Sequence, residues 1–236
     1  MKRSHQNTKR IFIDKDLNQI DRLEDESYNY IKNVLRLKVG DNLYILNRQK
    51  IGEFKIENVK KGAVILNKIN ERELLGANYN LHLYQACLKR EYMDEIVEKS
   101  GELGVTRFTP IYTKRSQRDL NKKTLSRYEK LLIKGALQSE IEHIPSLSEP
   151  TEIKFIDNDN NQKFLFYEGC TEKSLPKVKS NNISLFIGPE GGLTDDEADA
   201  LKDKGFQIIS PTYNILKADT AAIVFIGIMK ILMDLS

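Results

Sequence analysis

The chain of 236 residues is 40% hydrophobic and 30% charged, with a formal net charge of +3; this supplies apolar material for one large domain or two modest ones. No uncharged apolar run reaches the about 18 residues that a membrane span needs, and the polar opening Met1-Lys2-Arg3-Ser4-His5-Gln6 lacks the apolar core of an export signal, which points to the cytoplasm. Cys87 and Cys170 follow no paired spacing and His5, His82 and His143 are scattered, so reduced thiols are expected and a zinc or other transition-metal site is not.

Residues 10–13, 43–46, 52–56 and 63–66 are brief β-type runs parted by Gly, Asn and charged turns. One helical stretch, over 27–37, interrupts them and stops before Gly40-Asp41. This pattern predicts a small β-barrel-like domain over residues 1–75. From Gly76-Ala77-Asn78 onward, strands at 81–86, 107–112 and 163–167 alternate with helices at 92–103 and 123–139. Alternation of this kind predicts βαβ units on a parallel sheet, hence an α/β domain over residues 76–236.

Charge concentrates in the middle of the chain. Lys114, Arg115, Arg118, Lys122, Lys123, Arg127, Lys130 and Lys134 meet only Asp119 and Glu129, so residues 114–134 carry +6. Lys123, Arg127, Lys130 and Lys134 share one face of a helix, and Leu125, Tyr128, Leu132 and Ala136 share the opposite one, expected to pack on the sheet. Two readings stay open for the basic face: a solvated amphipathic helix, or an electrostatic footprint for nucleic acid.

Ile183-Ser184-Leu185-Phe186-Ile187 reads as a buried parallel strand. Gly188-Pro189-Glu190-Gly191-Gly192 follows at once, and Thr194-Asp195-Asp196-Glu197 then opens a helix with a capping box. The helix ends at Gly205 before a strand at 206–209. The glycine loop therefore sits at the carboxyl end of a parallel strand, where open α/β sheets bind ligands. A phosphate is the usual guest of such a turn, but Glu190, Asp195, Asp196 and Glu197 would repel it, and neither GxGxxG nor GxxxxGK is present. A carboxylate beside bare backbone suits a neutral or cationic ligand that needs close main-chain approach; S-adenosylmethionine, with its sulfonium and its adenine edge, is such a ligand. The alternative is a tight β–α turn with no guest. A second loop, Ser210-Pro211-Thr212-Tyr213-Asn214-Ile215-Leu216-Lys217, leads into a helix from Ala218 that is apolar almost all round, the composition of a buried or interface helix.

At these residues the chain resembles a known family. Residues 187–194 (Ile-Gly-Pro-Glu-Gly-Gly-Leu-Thr) and 214–221 (Asn-Ile-Leu-Lys-Ala-Asp-Thr-Ala) are similar to those of the bacterial 16S ribosomal RNA (uracil-N3)-methyltransferases of the SPOUT superfamily. Met93-Asp94 with Lys99 and Glu102-Leu103-Gly104-Val105, then Thr113-Lys114-Arg115-Ser116, and Gln138-Ser139 add to the likeness, and Val34-Leu35-Arg36-Leu37 with Gly40-Asp41 resembles that family's PUA-like RNA-binding domain. The chain departs from the family pattern at Thr212 and Asn214 (Gly and Arg), at Lys217-Ala218-Asp219-Thr220 (Arg-Thr-Glu-Thr), at Ile141 (Arg) and at Asn29 (His).

The resemblance implies a trefoil-knotted domain in which three loops wrap S-adenosylmethionine. Its cofactor residues would be Tyr167, Glu168 and Gly169, then Ile187, Gly188, Pro189, Glu190, Gly191 and Gly192, then Ile215, Leu216 and Thr220. It also implies a homodimer through the closing apolar helix and a target uridine in 16S ribosomal RNA of the small subunit. Uracil N3 lies on the pairing edge, so the base must be unpaired or turned outward. Lys217 is the candidate for stabilising the enolate-like charge once N3 loses its proton, and Asn214 for hydrogen bonding to the base. A phosphate contact or a plain surface charge is the other reading of Lys217. Arg10, Arg36, Lys89, Arg115 and Lys130 are the expected contacts to the RNA backbone. A SPOUT methyltransferase acting on transfer RNA, or an RNA-binding relative without catalysis, would account for the same motifs.

Overall fold

The computed structural model describes residues 9–117, 120–166, 176–210 and 216–235. The chain divides into two compact units, residues 1–76 with 142–144, and residues 77–141 with 145–236.

In the first unit β1 (Arg10–Phe12), β2 (Arg22–Glu24), β3 (Asn42–Leu46), β4 (Lys50–Lys60) and β5 (Ala63–Glu73) form one sheet in the order β1-β3-β4-β5-β2. The pairs are antiparallel except β1 with β3. Alternate residues Leu43 and Ile45, Phe54 and Ile56, and Val64 and Leu66 all point into one core, as a period of two requires. Helix α1 (Asp25–Asn29) runs on as a π-helical turn, Tyr30–Leu35, and ends at Arg36 in a left-handed conformation. Strands β4 and β5 are each 11 residues long, well beyond the apolar runs at 52–56 and 63–66. Their outer halves are charged and held by cross-strand pairs such as Lys50–Glu71 at 2.7 Å, which an apolar periodicity does not reveal. Residues 142–144 join this unit, with Glu142 gripped by both Arg72 terminal nitrogens at 2.7 and 2.8 Å.

The second unit is built on an all-parallel sheet. Its strands are β6 (Asn80–Ala86), β7 (Arg107–Tyr112), β8 (Ser146–Leu147), β9 (Thr151–Glu152), β10 (Gln162–Phe166), β11 (Asn182–Ile187) and β12 (Phe206–Ile209). They lie in the order β12-β10-β11-β6-β7-β8, with β9 also on β7. Both faces are covered, as parallel strands require. Leu83, Phe164 and Leu185 pack with Met93 and Val97 of α2 (Arg90–Glu102) and Phe225 and Met229 of α5 (Ala218–Leu235). Tyr84, Leu165 and Phe186 face Leu201 of α4 (Asp195–Asp203). β7 leaves β6 on one side and β11 takes the other, so strand order reverses at β6, the position where such sheets open a crevice at their carboxyl ends.

Helix α3 (Lys122–Gln138) lies beside α2. Its apolar face is buried as expected, Tyr128 and Leu132 sharing the core of Leu83 and Phe108 on the sheet, and the helix packs on α2 as well. A Cβ on Gly101 would lie 1.9 Å from the Leu132 carbonyl oxygen, and one on Gly135 would lie 2.0 Å from that of Glu98. The two backbones are thus in direct contact at both glycines. The same approach pairs Arg127 with Asp94 at 2.9 Å and Lys134 with Glu98 at 3.0 Å, so two of the four basic positions are neutralised by α2. No helix among the described residues is long and apolar enough to cross a membrane.

Candidate functional site

β11 is buried over its last five residues and delivers the chain to Gly188 at the sheet's carboxyl edge. Gly192 donates its N–H to the Pro189 carbonyl at 2.9 Å, closing a turn, and holds φ at +70°, where a side chain would be strained. Gly188 is different. It is not left-handed, and a Cβ there would make only ordinary contact with Leu193 at 3.5 Å. Neither backbone nor packing demands glycine at 188; what remains is the cavity that it lines.

That cavity measures about 370 Å³. Ile187, Gly188, Pro189, Glu190 and Gly192 form one wall, and Leu216 and Lys217, which lead into α5, form another. Two segments of the sequence some 24 positions apart (Gly192 to Leu216) are therefore brought onto one space. Gly191 and Thr220, expected with them, do not line it: Thr220 is exposed and Gly191 faces Arg115. Tyr167, Glu168, Gly169, Asn214 and Ile215 lie outside the described residues, as do Thr212 and most of the expected knot-forming loops. The sequence reading did not single out Phe166, Tyr92, Leu193 or Asp219 for this wall. Phe166 stacks on Phe225 at 3.9 Å between centroids, and Tyr92 comes from the first turn of α2. Asp219 is the one with a visible signal, an acid in the first turn of an otherwise apolar helix. Glu190 and Asp219 against Lys217 leave the cavity with an excess of negative charge, the sign that favours a cation.

The 113–116 segment is docked on the glycine loop. The Lys114 N–H donates to Glu197 Oε1 at 2.7 Å, Lys114 Nζ pairs with Asp196 at 2.9 Å, and Arg115 Nη1 donates to the Gly191 carbonyl at 2.8 Å. Hydrogen bonding to Asp196 raises the Lys114 pKa, and Lys114 lowers that of Asp196. Glu197 is the capping-box acid as well, its Oε2 accepting from the Thr194 N–H at 3.0 Å. One buried carboxylate thus caps α4 and anchors a loop 83 positions away. Arg115, expected on RNA, here donates to the glycine loop.

The other expected RNA contacts divide between the two units. Arg10 and Arg36 belong to the first unit, Arg10 half-buried on β1 and Arg36 exposed. Lys89 stands exposed at the N-cap position of α2 and Lys130 is exposed on α3. Cys87 is buried and its thiol is pushed up to about 12 by that burial, which disqualifies it as a thiolate nucleophile at neutral pH. Among the described residues no group of three or more His, Cys, Asp or Glu is placed to hold a metal ion.

The two units of the chain coincide with two domain families of known RNA methyltransferases. Residues 76–230 match the RNA methyltransferase domain model and residues 23–69 the RNA methyltransferase PUA domain model. The chain belongs to the family of ribosomal RNA small subunit methyltransferase E. It is 30% identical over 236 residues to that enzyme of Rickettsia conorii, covering 94% of this chain and 95% of the relative. It is also 30% identical to the enzyme of Buchnera aphidicola, covering 94% and 92%. A protein from Legionella pneumophila, solved in complex with the bound cofactor S-adenosylmethionine, superposes with a TM-score of 0.81 at 28% identity, covering 95% of this chain and 97% of that one. The fold is shared too with the Neisseria gonorrhoeae ribosomal RNA small subunit methyltransferase E, with a TM-score of 0.82 at 24% identity and coverage of 95% and 98%.

Proposed function

We propose that this protein methylates N3 of a uridine in 16S ribosomal RNA of the small subunit, with S-adenosylmethionine as donor, and that it works in the cytoplasm. The observation that carries the proposal is the single cavity of about 370 Å³ on which the glycine loop and the start of α5 converge. The residues fit the cofactor: Glu190 and Asp219 offer carboxylates to its cationic groups, and the side-chain-free Gly188 admits it close to the main chain. The Legionella relative of the same fold, with that cofactor bound, supports the assignment. When bound, S-adenosylmethionine supplies a methyl group activated by its sulfonium. The chain's own residues do the rest. The backbone from Ile187 to Gly192, with Leu216 and the neighbouring Ile215, holds the donor, joined by residues 167–169. Lys217 stabilises the negative charge that develops on the uracil as N3 gives up its proton. Asn214 hydrogen-bonds the base, and the fixed geometry of donor and acceptor contributes by orientation.

The residue 1–75 domain is assigned to RNA binding with Arg10 and Arg36, and Lys89 and Lys130 serve the RNA backbone from residues 76–236. A homodimer is assigned to α5, where Val224, Ile231 and Leu235, at spacings of seven and four, stay 40, 60 and 79% exposed along one face. Ile231→Asp is expected to convert a dimer to a monomer on size exclusion with light scattering; an unchanged mass would rule out that face.

The test of the activity is methyl transfer from labelled cofactor to small-subunit RNA, followed by mapping of the modified nucleotide. Label at N3 of one 16S uridine is expected. Label in transfer RNA would move the enzyme to another substrate, and cofactor binding without any transfer would make it a non-catalytic RNA binder. Calorimetry with S-adenosylmethionine should show binding that Gly188→Trp abolishes; retained binding in that variant would displace the cofactor from this cavity.

A further inference from the structure

A second cavity, of about 380 Å³, lies where the strap after β6 meets α3. It is lined by Lys89, Arg90 and Arg127, with no carboxylate in its wall among the described residues. Arg127 is partly committed, 2.9 Å from Asp94 and with its guanidinium 5.5 Å from the Tyr128 ring centre. Lys89 and Arg90 are exposed and have no ionic partner among the described residues. The floor is apolar, made by Leu88, Leu120 and Tyr128, and Gln117 and Thr124 supply an amide and a hydroxyl at its side.

The two cavities flank the same helical turn. Lys89 and Arg90, at the N-cap and first position of α2, face this one, and Tyr92 faces the cofactor cavity. One turn of helix rises about 5.4 Å, so a chain whose reacting base stands by Tyr92 has its neighbouring residue within reach of Lys89. The net signs of charge are opposite among the described residues: two carboxylates and Lys217 line the first cavity, and three cations line the second. A water occupies about 30 Å³ of liquid, so the second space is larger than a lone phosphate fills and has an apolar surface against which a base can pack.

Resting on the RNA-methyltransferase reading above, we infer that this cavity takes one nucleotide of the RNA strand next to the methylated residue. Its phosphate lies on Lys89 and Arg90, its base lies against Leu88, Leu120 and Tyr128, and Gln117 and Thr124 are placed to hydrogen-bond the base edge. Single-stranded RNA is read in this way, by unstacked bases in pockets beside backbone cations.

The test uses the full chain, a labelled single-stranded oligouridylate of about ten nucleotides, an abasic oligomer of the same length, and inorganic phosphate as competitor, over a range of salt. Lys89→Ala with Arg90→Ala is expected to lower oligouridylate affinity about tenfold and to flatten the log K against log salt slope by about 1.4, two contacts at about 0.7 each. The abasic oligomer should bind the wild type more weakly than oligouridylate, and cofactor affinity should be unchanged in the double variant. An unchanged slope and affinity would overturn the proposal. Equal binding of the abasic oligomer, or competition by phosphate as strong in the double variant as in the wild type, would do so as well. Should the double variant lose cofactor affinity, Gln117→Ala at the exposed rim gives the same comparison without a charge change, with weaker oligouridylate binding expected. No arm requires methyl transfer, so loss of oligouridylate affinity in a protein that fails to methylate 16S RNA would leave the pocket standing and remove only the substrate assignment.

Discussion

Arg115 donates from Nη1 to the carbonyl oxygen of Gly191 at 2.8 Å, across 76 positions of sequence. Its Cβ and Cδ also sit 3.4 Å from the place a Gly191 side chain would occupy. The arginine therefore braces the outer side of the glycine loop, other residues of which line the cavity of about 370 Å³. Removing the brace should loosen the loop rather than empty the cavity. Arg115→Met is expected to weaken S-adenosylmethionine binding about fivefold by calorimetry, the worth of about 1 kcal/mol for a hydrogen bond. Arg115→Lys should recover only part of it, since an ammonium lacks the guanidinium's reach and fork. Full cofactor affinity in Arg115→Met, with a reduced salt dependence of RNA binding, would return the residue to the RNA backbone.

The crossing of α2 and α3 leaves no room for a methyl group. With a Cβ only 1.9 Å from a carbonyl oxygen at Gly101 and 2.0 Å at Gly135, the helices must separate to accept alanine. Overpacking costs typically 1–3 kcal/mol, and backbone against backbone yields least, so about 3 kcal/mol is expected for each. For a chain of this size, that lowers Tm by about 6–12 °C. Because both substitutions force the same separation, the double variant should lose less than the sum. Additive losses, or a Tm within a degree of wild type, would show that the crossing relaxes freely.

Acid should destabilise the second unit through one histidine. His82 is buried beside Thr109, its Nε2 2.8 Å from the hydroxyl, and desolvation followed by the charge of Arg107 pushes its pKa down to about 3. The unfolded chain binds a proton there near pH 6.5 and the folded one does not, so stability is complete above that pH and falls below it. The loss approaches about 1.4 kcal/mol per pH unit until pH nears 3. Denaturant midpoints between pH 7 and 5 should therefore decline in the wild type and flatten in His82→Gln. Parallel declines in the two proteins would assign the acid sensitivity elsewhere.

Charge on α3 should divide into working and spent positions. Lys122 and Lys123 are exposed near its start, whereas Lys134 is paired with Glu98 at 3.0 Å. Replacing both Lys122 and Lys123 by alanine is expected to reduce the salt slope of RNA binding by about 1.4. Lys134→Ala should change it by less than half that per charge. Equal effects per charge would mean that RNA pulls Lys134 away from its partner.

The parts of this molecule that sequence announces are those built from neighbours. Ile183 to Ile187 alternates with nothing and reads as a buried strand, the glycine loop follows without a gap, and Thr194 with Glu197 caps the next helix as its spacing demands. The second wall was legible for the same reason, since Leu216 and Lys217 lead directly into an apolar helix. What was hidden depends on pairing at a distance. That Arg115 would be spent on a carbonyl, that Glu197 would serve a loop 83 positions away, and that Arg127 and Lys134 would be met by Asp94 and Glu98 all follow from packing. Periodicity fixes which face a residue takes and is silent about what lies across it. The charged halves of β4 and β5 were missed for a related reason: their strand character comes from cross-strand ion pairs and leaves no apolar pattern.

The central position of β11 has a consequence for how the chain is made. β6 lies between β7, which follows it closely, and β11, whose Asn182 pairs with Asn80 only 102 positions later. During synthesis at about 5–20 residues per second, β6 and β7 emerge together, but the other edge of β6 stays open for several seconds, with Leu81 and Leu83 at its heart. The middle of the sheet is thus completed late, after the strand that will flank it on the far side. An exposed parallel edge is a site for unwanted pairing, and a ribosome stalled ahead of residue 182 leaves it uncovered for the length of the stall. Slow translation over residues 120–180 should therefore raise the aggregated fraction of newly made protein more than the same delay imposed after Ile187.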